Sequence, residues 1–503
     1  MGVTLLLASL AVPRRARGLY DAEHRIESAR LYGNIDVYSY YFVDVTVGTP
    51  PQRVSVILDT GSGILAFPCA GCNHCGKHVD PLFDVSRSSS ARWVGCGKSC
   101  HGKTGSRGTC RNDHCTYSQS YLEGSSLSGY WFEDYVHLGD SIQHNPPVYA
   151  RMGCHQNENN LFYTQKANGI FGILGAHTLL RTLFADKEHV NSDVFSICLS
   201  TEGGRLTVGG HNQTNLRGPV QYVHQVGSGY EVKMTSIVVQ GRPGWEARSI
   251  EHFHDTVIDS GTTYTYFNRD HYRQLRQAIE DHCNGGDCGA TRQGTCWQVK
   301  DGRDLDGFPM VDVFFGTVKT VWRPNEYLYR NSKTKKWCYS FQDDGPRLTA
   351  TLGASWMLYK EIIFDIQGHQ IGIAPADCPE YEKRPEHFVN AEDYSRAAPA
   401  GAGPGGRARR PGAKTNTFIP MVAAVGLLLA LLAAVPVVRW CLREEDELPP
   451  GRRHRKDARK AARVIGASAG AEKASRRAAP GLPKGELDGG EEDEEEEDLL
   501  LKQ

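Results

Sequence analysis

Val56-Ile57-Leu58-Asp59-Thr60-Gly61-Ser62 recurs 200 positions later as Thr256-Val257-Ile258-Asp259-Ser260-Gly261-Thr262. In each copy a short apolar run of β type ends in Asp, a small hydroxyl residue, Gly, and a second hydroxyl residue. Runs of this kind, bounded by Gly, Pro, Asn and Asp, are the signature of strands. Each copy is followed at a distance by an apolar-apolar-Gly element, read as Ile173-Leu174-Gly175 in the first half and Thr351-Leu352-Gly353 in the second. A repeated unit predicts two similar lobes with a cleft between them.

The residue types point to paired carboxylates. Gly61 and Gly261 permit a tight turn where a side chain would clash. Asp59 and Asp259 then project from strand ends toward one another. Thr60, Ser62, Ser260 and Thr262 supply hydroxyls to hold the pair in place. Two carboxylates about 3 Å apart cannot both ionise easily, so they share one proton and titrate as a unit. One member activates a water as general base, and the other protonates the leaving group. Such chemistry needs no metal, no cofactor and no covalent intermediate. A single Asp-Thr-Gly is weak, because an Asp after a strand often merely caps a turn; two matched copies leave that reading little room.

Between the copies, Ser118-Gln119-Ser120-Tyr121-Leu122-Glu123-Gly124-Ser125-Ser126 has the Gly and Ser content of a hairpin that closes over a substrate. Tyr121 brings a ring and a hydroxyl to the cleft, and Gly124 eases the turn. Glu123 is positioned to pair with a substrate Arg; the alternative is an exposed turn carboxylate. Strand texture continues in Tyr41–Val47 and Val54–Leu58, and helical pattern is brief, as over Asp270–His282.

The chain has 503 residues, a net charge of −1 and 15 cysteines. That balance gives no pull toward nucleic acid, and the cysteine count suits an oxidising compartment. Cys69, Cys72, Cys75, Cys96, Cys100, Cys110, Cys115, Cys154, Cys198, Cys283, Cys288, Cys296, Cys338 and Cys378 precede the longest apolar stretch, and Cys441 follows it. Fourteen lumenal cysteines and one cytosolic one fit seven disulfides, with the pairing left open. Cys69-x-x-Cys72-x-x-Cys75-x-x-His78 also has metal-ligand spacing, but with four more cysteines nearby disulfides are the favoured reading. Asn212-Gln213-Thr214 is a glycosylation sequon.

These motifs resemble the pepsin-like aspartic protease family over about Tyr38 to Cys378. The resemblance implies an all-β bilobal fold, peptide-bond hydrolysis and a flap whose Tyr is Tyr121. One departure is Ala66, where many members carry the Trp that supports the flap Tyr. The insert Cys69–Cys115 resembles the disulfide-knotted insert of the nepenthesin branch. Together with Glu123 and a membrane tail, it is most similar to endomembrane members that cut secreted or exported proteins after a motif with Arg and Leu.

The remaining organisation follows from composition. Residues 1–18 carry the apolar run Val3–Val12 and read as a signal peptide, and 19–37 as a short pro-segment or N-terminal extension. The N-terminal lobe is expected over 38–215 and the C-terminal lobe over 216–378. A Gly-, Ala- and Pro-rich stalk spans 379–415. Thr417–Val438, 22 residues without charge, matches the roughly 30 Å of a bilayer core as a single transmembrane helix. Residues 439–503 read as a disordered cytosolic tail ending in the acidic run Glu491–Asp498. The expectation is a monomeric type I membrane protease of the endoplasmic reticulum or Golgi with a lumenal domain and polypeptide substrates. The reading from another class is an inactive membrane receptor or chaperone for peptides.

Overall fold

The computed structural model describes residues 20–21, 25–97, 100, 109–140, 147–175, 178–284, 288–299, 305–381 and 384. The expected signal peptide, transmembrane helix and tail lie outside these residues, as does nearly all of the stalk. Among the described residues no helix is long and apolar enough to cross a membrane.

The chain is built mostly of β-strands, and the repeat is visible in their order. Strand Gln52–Asp59 pairs parallel with Gly169–Gly172. That strand pairs antiparallel with Leu65–Pro68, which runs parallel to Val148–Glu158. In the second half Asp255–Ile258 pairs parallel with Ala350–Leu352, which pairs antiparallel with Thr265–Phe267, which runs parallel to Phe341–Asp343. The two halves thus share one topology, and each Asp stands where its first strand ends.

A continuous antiparallel sheet joins the halves. Its strands are, in spatial order, Ile26–Asn34, Gly204–Val208, Val194–Leu199, Lys360–Asp365, Gln370–Pro375 and Gln221–Val226. At one end Ile26–Asn34 pairs with Tyr40–Val47, the hairpin partner of the Asp59 strand. At the other, Gln221–Val226 pairs with Glu231–Lys233, which pairs with the Asp259 strand. Residues 19–37, expected as a pro-segment or extension, therefore supply an integral strand, with Ala29 and Leu31 wholly buried in the core. The alternation of Ala29 and Leu31 with Ser28 and Arg30 is the sequence signal of that strand. Strands from both sides of position 215 share this sheet, those before it at one end and those after it at the other.

The second half adds two four-stranded sheets and the helix Arg269–Cys283. Asn268 caps that helix by accepting from the His271 amide. Seven disulfides form: Cys69–Cys154, Cys72–Cys75, Cys96–Cys110, Cys100–Cys115, Cys198–Cys378, Cys283–Cys288 and Cys296–Cys338. The Cys-x-x-Cys-x-x-Cys-x-x-His run is divided between two of them, and His78 turns instead to Glu158.

The first apolar-apolar-Gly element is corrected by three residues. Phe171 lies opposite Leu58 and Gly172 opposite Asp59 in the parallel ladder, as Leu352 lies opposite Ile258 in the second half. The counterpart of Thr351-Leu352-Gly353 is therefore Ile170-Phe171-Gly172. A Cβ on Gly172 would stand 2.6 Å from the Gly63 nitrogen, and one on Gly353 2.6 Å from the Thr262 carbonyl oxygen. Gly175 has open space around it and a φ of +105°, so it serves a turn instead.

Candidate active site

Asp59 and Asp259 end equivalent strands and face each other within hydrogen-bonding reach. Their supports repeat residue for residue. The Gly61 amide donates to Asp59 Oδ1 at 2.7 Å, and the Gly261 amide to Asp259 Oδ1 at 3.0 Å. The Ser62 hydroxyl donates to Asp59 Oδ2, and the Thr262 hydroxyl to Asp259 Oδ2 at 2.6 Å. Each carboxylate thus has one oxygen on a backbone amide and one on a hydroxyl.

The residues between bind across the axis. The Thr60 amide donates to Ser260 Oγ at 3.2 Å, and the Ser260 amide to Thr60 Oγ1 at 2.9 Å. Thr60 Oγ1 in turn donates to the Ile258 carbonyl at 2.9 Å and Ser260 Oγ to the Leu58 carbonyl at 2.7 Å. Each hydroxyl is therefore both donor and acceptor, and both are buried. This reciprocal lock fixes the two Asp strand ends relative to each other. The sequence had placed Thr60 and Ser260 beside the dyad; their grip on the opposite strand required the fold.

Burial and the neighbouring charge of Asp259 push the Asp59 carboxyl well above the ordinary carboxylate range, against the opposing bonds from Ser62 and Gly61. Asp59 is the more buried of the pair, 5% exposed. The pair accordingly retains a proton under conditions in which an isolated Asp has lost it.

Strands His114–Ser120 and Ser126–Leu138 form a hairpin over this site. Its turn closes with the Tyr121 amide donating to the Ser125 carbonyl at 2.9 Å, and Gly124 takes a φ of +92°. Burial first, and then the charge of Asp59, push the Tyr121 hydroxyl well above its usual range, which places it beside the dyad. Leu122 at the tip is 87% exposed. Glu123 is half-buried; desolvation raises its carboxyl, and the field of Asp259 adds to the rise. Bonds from the Ser125 hydroxyl and amide, within its own turn, oppose that rise.

The ring that supports Tyr121 comes from Phe162, at 5.0 Å between centroids. Ala66 lies in the same buried cluster, with Ile64, Trp131 and Ile170. Nothing local in the sequence marked Phe162 for this place, because it reaches the flap only through the turn Asn160–Thr164. The sequon residue Asn212 caps a short turn remote in sequence from the dyad, accepting from the Thr214 amide at 2.8 Å.

The chain matches the family model "Eukaryotic aspartyl protease" over residues 40–376. It is 38% identical over 414 residues to aspartic protease 5 of Toxoplasma gondii, covering 77% of this chain and 40% of that protein. It is 27% identical over 442 residues to plasmepsin V of Plasmodium falciparum, covering 70% of this chain and 73% of the relative. Aspartyl protease family protein 1 of Arabidopsis thaliana is 25% identical over 379 residues, covering 71% of this chain and 72% of the relative.

Proposed function

The chain belongs to the eukaryotic aspartyl protease family, and from that premise we propose that it is an aspartic endopeptidase with Asp59 and Asp259 as its catalytic pair. The observation that carries this reading is the pairing of two buried carboxylates across a symmetric lock of Thr60 and Ser260.

The mechanism follows from the geometry. Burial and the charge of Asp259 raise the Asp59 carboxyl, and the pair holds one shared proton. The ionised partner takes a proton from a water held between the two carboxylates as that water attacks the scissile carbonyl. The protonated member donates to the carbonyl oxygen, and the leaving amine is protonated as the tetrahedral intermediate collapses. Ser62 and Thr262, each bonded to one outer oxygen, keep both carboxylates oriented throughout. Tyr121 closes over the pair and excludes bulk water, which strengthens every electrostatic interaction beneath it.

The substrates we propose are secreted or exported polypeptides with Arg upstream of the cut and Leu nearby. Similarity to plasmepsin V and to aspartic protease 5 supports this, as does a half-buried carboxylate, Glu123, in the flap turn within the field of Asp259. We place the protease in the endomembrane lumen as a type I protein, anchored through Thr417–Val438, with the sequon Asn212 on the same side. Cleavage of a peptide library by the purified full-length chain tests the reading. Products cut after Arg-containing motifs, with KM for Arg peptides raised in Glu123→Gln, support it. Equal cleavage of Arg-containing and Arg-free peptides by both proteins contradicts the assigned specificity.

A further inference from the structure

Glu158 ends strand Val148–Glu158, and its side chain has no solvent exposure. Oε1 accepts from His155 Nδ1 at 2.8 Å. Oε2 accepts from His78 Nε2 at 3.1 Å and from the Gly76 amide at 3.0 Å. Its backbone is held as well: the Glu158 amide donates to the His74 carbonyl at 2.8 Å, and its own carbonyl accepts from His74 Nδ1 at 2.7 Å. Burial opposes the charge, but the bonds from His155 and His78 outweigh it and hold the carboxyl down at about 2. A carboxylate so far from water survives only with partners on both oxygens, and apolar residues of the same size often stabilise a fold as well.

The residues that follow Glu158 carry the flap. Asn159 Oδ1 accepts from the Ser126 amide at 2.5 Å. Asn160 Nδ2 donates to the Gly124 carbonyl at 3.0 Å, and the Leu161 amide donates to Ser125 Oγ at 3.2 Å. Phe162 then places its ring against Tyr121. Four successive residues thus suspend the flap turn, and the residue before them is clamped to loop 73–78 of the insert.

We propose that Glu158 is a positioning residue for the flap: by fixing residues 159–162 against His78, His155 and Gly76, it sets where Tyr121 stands over Asp59. The inference rests on the proposed protease function, in which Tyr121 closes over bound peptide. Without the clamp the dyad is intact, but the lid above it wanders, and substrate binding is what suffers.

The test compares the full-length chain in detergent with Glu158→Gln, both counted by titration with a statine-type inhibitor. Per titrated site, Glu158→Gln raises KM for an Arg-containing peptide about tenfold while kcat changes far less. Amide hydrogen exchange speeds up over 121–126 and stays unchanged over 52–62. Should Glu158→Gln fail to fold, His78→Gln removes one partner of Oε2 and predicts the same pattern in weaker form. A lower Tm with unchanged KM and unchanged flap exchange overturns the proposal. Wild-type protein that neither cleaves peptide nor binds the inhibitor contradicts the protease reading instead; the exchange comparison still decides the role of Glu158.

Discussion

Gly61 and Gly261 each face the other half's carboxylate. A Cβ on Gly61 would stand 2.9 Å from Asp259 Oδ2, and one on Gly261 would press on Asp59 Oδ1 more closely still. Gly261→Ala is therefore expected to drive the carboxylates apart and lower kcat by at least about a hundredfold, with near-native circular dichroism. Glycine at these positions was legible in the sequence as the mark of a tight turn, but the reason for it was not: neither takes a positive φ, and the carboxylate of the other half is what leaves no room for a side chain. Glu361 was not legible. It is buried in the sheet that joins the halves, where Ser196 Oγ donates to it at 2.5 Å. Desolvation, opposed by that bond, pushes its carboxyl up to about 7. A raised folded value means that its contribution is fully present below about pH 4.5 and is lost as pH rises through about 7. Glu361→Gln is expected to flatten this loss and to stabilise the protein above pH 7 by about 2–3 kcal/mol, with no gain at pH 4. Thermal melts across that range read it directly.

The elements were legible to unequal degrees. Strands Tyr40–Val47 and Gln52–Asp59 could be read from their apolar runs, and helix Arg269–Cys283 from its period. The apolar-apolar-Gly element was misread because Ile170-Phe171-Gly172 and Ile173-Leu174-Gly175 stand in tandem. Only the ladder register, with Gly172 opposite Asp59, separates them. The flap hairpin was legible from its glycine and serines, but its support was not. Ala66 signalled that a familiar ring was missing; Phe162, almost a hundred positions on, gave no sign that its ring would pack against Tyr121. Phe162→Ala is expected to cost about 3 kcal/mol of stability, as for other buried rings. It should also weaken binding of a statine-type inhibitor, since Tyr121 loses its support. An inhibitor Kd unchanged in Phe162→Ala would show that the flap does not depend on that contact.

At the scale of the whole molecule, the repeat alone implied two lobes. The sheet that joins them was hidden, because its strands come from four separated stretches of chain. The root of the stalk is likewise bound to the body. Arg384 Nε and Nη2 donate to the buried Asp44 carboxylate at 2.5–3.0 Å, and Nη2 also reaches Asp80 at 2.6 Å. Arg384→Ala would take from the fully buried Asp44 its close guanidinium partner, leaving Arg53 at 3.9 Å as the ion-pair partner among the described residues. A loss of about 3 kcal/mol is expected in denaturant melts; a change under 0.5 kcal/mol would show the contact to be incidental. No short motif announces Arg384, because an Arg in a polar stalk reads as solvated.

The most direct test of the account compares cleavage of one Arg-containing peptide by the full-length wild type and by Asp59→Asn from acidic to neutral pH. The account predicts cleavage by wild type alone, blocked by a statine-type inhibitor. Because burial and Asp259 raise the Asp59 carboxyl, the pair keeps its proton above the ordinary range, and activity falls only as rising pH removes it. Folded Asp59→Asn that cleaves at the wild-type rate would contradict the assignment of the catalytic pair.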